Sequence, residues 1–166
     1  MTTPPINVLF LCTHNSARSI LAEATLSHVG QGRFKGFSAG SSPRENQQPH
    51  PLGLQALREA GIATEGLRSK AWDEFALPEA PHMDLVITVC DSAAGEQCPF
   101  WPGHPATAHW GYADPSAVEG SDAQRLDAFR RTLIAIRYRL DLLVALPAGQ
   151  IDRLVLQQKA RELAAS

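Results

Sequence analysis

The chain has 166 residues and a mass of 18.0 kDa, which fits a single domain whose core needs no cross-links. Hydrophobic residues make up 44% and charged residues 19%, as in ordinary globular proteins, and no apolar run reaches the roughly 20 residues of a membrane span. A net charge of −2 gives no support for a nucleic-acid or anionic-membrane partner. Three cysteines without a recognisable signal peptide argue against a secreted disulfide framework and predict cytoplasmic localisation.

Apolar runs alternate along the chain with segments of helical periodicity. We predict strands over 6–11, 34–40, 84–90 and 106–110. We predict helices from Ser19 to a stop at Gly30, from Pro51 to Gly61, from a capping box of Ser121 and Gln124 to Pro147, and over 151–166. Strands that alternate with helices predict an α/β fold with a parallel sheet and helices on both faces.

The last predicted helix follows Pro147 and carries small and apolar residues along one side. We therefore predict a domain over 1–146 and a C-terminal helical extension over 147–166. Such a helix packs either on its own domain or on another chain, and we favour its own domain.

The stretch LFLCTHNSARS places Cys12 where a buried strand gives way to a helix, at the sheet edge where α/β folds bind ligands. Arg18 offers a planar fork for two oxygens of an anion, and the same positive surroundings favour a nucleophilic thiolate at Cys12, to which Ser19 could donate a hydrogen bond. The alternative is a buried structural cysteine beside an incidental arginine. A cradle for a tetrahedral oxyanion would be formed by the backbone N–H groups of Thr13, His14, Asn15, Ser16, Ala17 and Arg18.

This stretch resembles the phosphate-binding loop of the low-molecular-weight protein tyrosine phosphatase superfamily, which includes phosphatases and arsenate reductases. The resemblance implies a four-stranded parallel sheet flanked by helices, with Cys12 as the nucleophile. It also implies that Asp114, followed by Pro115, is the general acid, and proline restricts the backbone of the residue before it. The phosphatases have aromatic residues after this pair, whereas Ser116 and Ala117 follow here, which favours a small inorganic anion over an aryl ester.

The stretch VCDSAAGEQC contains the other two cysteines, Cys90 at a predicted strand end and Cys98 in a loop. Thiols near a nucleophilic thiol permit a relay of successive attacks on sulfur. The arsenate reductases of the superfamily use such a cysteine triad, so the resemblance implies reduction of arsenate to arsenite, with phosphate or sulfate as analogues of the substrate. An external thiol reductant, either thioredoxin or glutaredoxin with glutathione, would restore the dithiol.

Two other functions stay open, a phosphatase acting on phosphate monoesters and a non-catalytic module that binds oxyanions or senses redox state. We predict no bound cofactor and no metal. In some relatives a potassium ion lies beside the loop, and Asn15, Glu23 and Ser38 match three of its ligands, but the acidic position falls near Lys70, whose ammonium group could take the ion's place. The six histidines suggest no common site.

Overall fold

The computed structural model describes residues 4–91, 106–147 and 153–165. The strands are β1 (Ile6–Cys12), β2 (Phe34–Gly40), β3 (Leu85–Thr88) and β4 (Ala106–His109). The helices are α1 (Arg18–Val29), α2 (Pro51–Glu59), α3 (Asp122–Val144) and α4 (Arg153–Leu163), with short 3₁₀ helices at Trp72–Ala76 and Pro115–Ala117. Among the described residues, none of the helices combines the length and hydropathy that a membrane span requires.

The four strands form one parallel sheet in the order β2-β1-β3-β4, which confirms the predicted fold class. Strand β1 lies between β2 and β3 in the sheet. Its side chains point alternately to the two faces of the sheet, and both faces are buried. Val8 and Phe10 contribute to a large core shared with all four α-helices, whereas Leu9 and Leu11 contribute to a smaller core. The smaller core is covered by the Trp72–Ala76 helix and its neighbours, so helical segments lie on both faces.

The α4 helix packs on its own domain, as we favoured. Leu156, Ala160 and Leu163 are buried in the large core. Arg161 donates a hydrogen bond to the carbonyl of Thr107 on β4, which is the edge strand of the sheet. The helix therefore covers a strand edge that would otherwise be open to another chain. The domain boundary at 146 and 147 stays a prediction.

The carboxyl edge of the sheet is where the predicted site residues meet. Because the strands are parallel, Cys12 at the end of β1, Cys90 after β3 and Asp114 after β4 all follow the same edge. Gly40 ends β2 beside Cys12, and a Cβ atom there would lie 2.7 Å from the carbonyl oxygen of Thr13. Glycine thus lets the loop after Cys12 fold down against the neighbouring strand.

Candidate active site

Cys12 is a buried free thiol that receives two polar contacts from its own loop. The backbone N–H of Asn15 donates to the sulfur at 3.2 Å, and Ser19 Oγ lies 2.9 Å from it. Asn15 Nδ2 donates to Ser19 Oγ at 2.8 Å, which leaves the Ser19 hydroxyl hydrogen available for the sulfur. The chain of donors from Asn15 through Ser19 to Cys12 suits a thiolate better than a neutral thiol.

The rest of the loop is fixed through its backbone by neighbouring segments. The backbone N–H of Ser42 donates to the carbonyl of Thr13 at 2.8 Å. The carbonyl oxygen of Ser42 lies 3.0 Å from His14 Nδ1. The His50 N–H donates to the carbonyl of Ser16 at 2.9 Å. The bonds to Thr13 and Ser16 engage carbonyl groups of the loop from outside, as expected for a loop whose N–H groups face a bound anion.

Helix α1 begins directly above the thiol, at Arg18. Its N-cap residue, Ala17, makes no side-chain capping bond within the described chain, so an anion in the loop can satisfy the first N–H groups of the helix. The Arg18 side chain is 7% exposed and is held by a 3.0 Å hydrogen bond from NH1 to the carbonyl of Tyr112. Its NH2 lies 3.9 Å from Asp114 Oδ2, so the Arg18 cation and the predicted general acid are next to each other.

The Asp114 side chain is held by the turn that follows it. Its Oδ1 accepts hydrogen bonds from the N–H of Ser116 at 2.9 Å and from the Ser116 hydroxyl at 2.7 Å. Asp114 thereby caps the 3₁₀ helix Pro115–Ala117. Oδ1 is occupied and Oδ2 faces Arg18, so Oδ2 is the oxygen placed to hold a proton for a leaving group.

Cys90 is fully buried and follows β3, the strand next to β1. The N–H of Val89 donates to the carbonyl of Leu11, which extends the strand pairing up to the residues beside Cys12. Cys90 is disulfide-bonded, whereas Cys12 is free. Cys98, the third predicted thiol, lies outside the described residues.

A cavity of about 610 Å³ opens above Cys12 and contains Arg18, Asp114 and Ser116 in its lining. Its opposite wall is the segment 44–51, which we call the facing wall, and its polar residues include Arg44, Gln48 and His50. No functional residue is predicted from the sequence in this segment. The available signal was His50 itself, which lies between two prolines at the start of a predicted helix, the position of a cap.

Beneath the loop, Lys70 lies beside Asn15, Glu23 and Ser38, the three residues that resemble potassium ligands. Its Nζ donates to the carbonyl of Ser38 at 2.9 Å and lies 3.7 Å from Glu23 Oε1, while its backbone N–H donates to Asn15 Oδ1. Burial raises the pKa of Glu23 and lowers that of Lys70, and each charge opposes the shift of the other. Because the ammonium group occupies this place, these residues do not fit a potassium ion.

No group of three or more histidine, cysteine, aspartate or glutamate side chains among the described residues is arranged to hold a metal ion. The cavity presents a free thiol, an arginine, a carboxyl group and the backbone N–H groups of the loop. This set suits attack by sulfur on a tetrahedral oxyanion.

Comparison with known proteins agrees with this arrangement. Residues 7–149 match the low molecular weight phosphotyrosine protein phosphatase family. The chain belongs to this family. An arsenate reductase of Bacillus licheniformis is 37% identical over 134 residues, which cover 80% of this chain and 91% of that protein.

Solved structures similar to this family member include two arsenate reductases. The one from Archaeoglobus fulgidus has a TM-score of 0.66 at 28% identity and covers 82% of this chain and 98% of its own. A thioredoxin-dependent arsenate reductase of Corynebacterium glutamicum has a TM-score of 0.55 at 27% identity, with 86% of this chain and 65% of that chain covered. The resemblance inferred from the cysteine loop is thus confirmed.

Proposed function

We propose that this chain reduces arsenate to arsenite, with Cys12 as nucleophile and an intramolecular disulfide relay. One observation carries the proposal: Cys12 and Cys90 follow adjacent parallel strands at one edge, with Cys90 oxidised to a disulfide and Cys12 free. A disulfide at Cys90 that spares the nucleophile is the arrangement expected at the end of such a relay. The names of the similar proteins support the same reaction.

In the first step, arsenate occupies the cradle of residues 13–18 and the Cys12 thiolate attacks the arsenic. A sulfur–arsenic bond forms, and one oxygen leaves as water after taking a proton from Asp114 Oδ2. Arg18 holds two of the remaining oxygens, so negative charge that develops in the transition state meets a fixed cation and the N–H groups of α1.

In the second step, the Cys90 thiol attacks the sulfur of Cys12, and its proton passes to an oxygen of the departing arsenic group. A Cys12–Cys90 disulfide forms, and the electron pair of the sulfur–arsenic bond passes to arsenic, which leaves as arsenite. Cys98 then attacks Cys90, giving a Cys90–Cys98 disulfide and returning Cys12 as a thiolate. An external dithiol reduces this disulfide. Similarity to the thioredoxin-dependent Corynebacterium protein favours thioredoxin as this reductant. Such a reductant system is present in the cytoplasm, where we place this reaction.

The deciding experiment measures arsenate-dependent NADPH oxidation with thioredoxin and its reductase, and separately with glutaredoxin, glutathione and its reductase. We expect the wild type to turn over with one of these systems and Cys12→Ser to show no reduction. Cys98→Ser should complete about one turnover and then accumulate a Cys12–Cys90 disulfide, visible by mass spectrometry of the trapped protein. Full steady-state reduction by Cys98→Ser with thioredoxin would refute the relay.

The family description points to a second candidate, hydrolysis of phosphate monoesters. The same thiol, arginine and acid serve both reactions, so some hydrolysis of p-nitrophenyl phosphate is expected from a reductase. The relative rates decide between them. A phosphatase would keep its full hydrolytic rate in Cys90→Ser and would reduce arsenate no faster than the Cys12→Ser variant.

A further inference from the structure

We infer that His50 is a specificity-determining residue of the cavity, whose Nε2–H donates a hydrogen bond to an outward-facing oxygen of the small tetrahedral oxyanion above Cys12. The inference rests on the proposed function and deepens it. It gives a function to a residue of the facing wall, none of whose side chains takes part in the mechanism above.

The His50 side chain is fixed from several directions. Pro51 restricts its backbone to extended conformations, and its ψ angle of 131° agrees. Its ring packs in a tilted arrangement on the buried Phe129 of α3, with centroids 4.7 Å apart and an interplanar angle of 34°. Its backbone N–H donates to the carbonyl of Ser16 in the loop that follows Cys12. A ring held in this way at the cavity wall can contact a ligand with little loss of side-chain entropy.

The hydrogen bonding of the ring defines its tautomer. Nδ1 accepts the backbone N–H of Leu52 at 3.2 Å, so it carries no proton, and the hydrogen of the neutral ring is on Nε2. Burial, together with the nearby Arg125 cation, lowers the pKa of His50, which keeps the ring neutral at pH 7. Within the described part of the chain no protein group accepts from Nε2, so this N–H is available to a ligand.

We expect the position of His50 to favour free oxyanions over their aryl esters. His50 and Asp114 line the same cavity, and the Asp114 carboxylate opposes the lowering of the His50 pKa by burial. The oxygen that takes the proton from Asp114 therefore leaves in the region of the ring. In arsenate this oxygen is an OH or O⁻ that can accept the Nε2–H, whereas in an aryl ester it carries a ring that must displace this contact.

The test uses His50→Asn in the full-length protein, because asparagine is a strong N-cap residue and preserves the capping bond while removing the Nε2 donor. The direct measurement is protection of Cys12 from iodoacetamide by inorganic phosphate, followed by peptide mass spectrometry. We expect half-protection to require at least about tenfold more phosphate than in the wild type. His82→Asn, at a histidine whose side chain is 85% exposed, is the matched control and should behave like the wild type.

Steady-state kinetics supply the second measurement. His50→Asn should raise the KM for arsenate about tenfold with little change in kcat, and should lower the kcat/KM for p-nitrophenyl phosphate less than that for arsenate. His50→Ser, which also preserves the cap, should give the same pattern if the asparagine variant proves unstable. Unchanged phosphate protection in both variants would overturn the inference. If the wild type fails to reduce arsenate while protection still weakens in the variants, the proposed function fails and the His50 contact stands.

Discussion

The two walls of the cavity are built in opposite ways. The anion loop, residues 12–19, is largely buried and is closed by its own contacts, since Asn15 and Ser19 bond to each other and to the sulfur of Cys12. The facing wall, residues 44–51, is mostly exposed, and Arg44 and Gln48 on it are exposed. Of its cavity-lining residues, His50 is the one tied to both the anion loop and the core.

This difference separates the fixed part of the site from the adjustable part. Attack on an oxyanion requires the sulfur and its donors to be placed before the anion arrives, because reorganisation during the reaction would add to the barrier. An exposed polar wall tolerates substitution, so it can select the ligand without disturbing the thiol. Substitutions in or beneath the anion loop should therefore be costly, and those on the facing wall away from His50 should be mild.

The largest effect is expected from Arg18→Lys. Lysine keeps the charge but loses the planar fork and the NH1 hydrogen bond to the Tyr112 carbonyl. We expect kcat/KM for arsenate to fall about 10²- to 10³-fold, the range for loss of a single transition-state donor. Arg44→Lys on the facing wall is the matched control and should stay within about threefold of the wild type. A loss of less than tenfold in Arg18→Lys would mean that charge alone holds the anion.

Next in size is the loss of stability in Lys70→Met, beneath the anion loop. This change leaves Glu23 buried without its cation, and we expect the free energy of unfolding in urea to fall by about 3 kcal/mol at pH 8. The double variant Glu23→Gln with Lys70→Met removes the isolated charge and should recover most of this loss. A double variant as unstable as Lys70→Met would show that packing, not charge, is responsible.

The pH dependence of the same variant has a defined sign. Burial already raises the pKa of Glu23, and removal of the opposing Lys70 raises it further. A carboxyl group with a higher pKa in the folded than in the unfolded state stabilises the fold at low pH, and this contribution is lost as pH rises through the folded pKa. The deficit of Lys70→Met relative to the wild type should therefore shrink between pH 8 and pH 5. A deficit that grows on acidification would contradict the assignment.

The fold and the anion loop could be predicted because their signals are local. Nearly continuous apolar runs predicted β1 and β3, and the predicted capping box of Ser121 and Gln124 is present at the start of α3. Helix α1 begins at Arg18, one residue before the predicted Ser19, and its N-cap residue Ala17 has no capping side chain that would mark the start in the sequence. The β3 strand is shorter than the predicted 84–90, since its regular pairing ends at Thr88.

The facing wall could not be predicted in the same way. The role of His50 depends on Phe129, which is distant in sequence, and on the fold of the anion loop against which its N–H is bonded. Neither contact leaves a pattern in the segment itself. Helix α4 illustrates the same limit. Its periodicity indicated that one side is buried, but not that β4 and α3 form the surface on which that side packs.

A moderate effect is expected at Asn15, whose φ of 57° is left-handed and whose side chain joins Ser19 to the Lys70 backbone. Asn15→Ala removes these bonds and places a Cβ in a conformation that alanine disfavours, so we expect unfolding to become about 2 kcal/mol easier. Asn15→Gly removes the same bonds without the steric cost and should be about 1 kcal/mol more stable than the alanine variant. Chemical denaturation of both variants measures the difference. Equal stabilities would show that the backbone angle imposes no strain on alanine.

The smallest effect is expected from Arg44→Gln, at the exposed rim of the facing wall. An exposed cation acts on an incoming anion mainly through a field that salt screens, with a Debye length of about 10 Å at 0.1 M. We expect the KM for arsenate to rise about threefold at low ionic strength and the difference from the wild type to vanish near 0.5 M salt. Since His50 acts by a short hydrogen bond inside the cavity, the KM of His50→Asn for arsenate should stay raised at both salt concentrations. An Arg44→Gln defect that persists at high salt would mean that Arg44 contacts the anion directly, so that the facing wall would hold the ligand at two points instead of one.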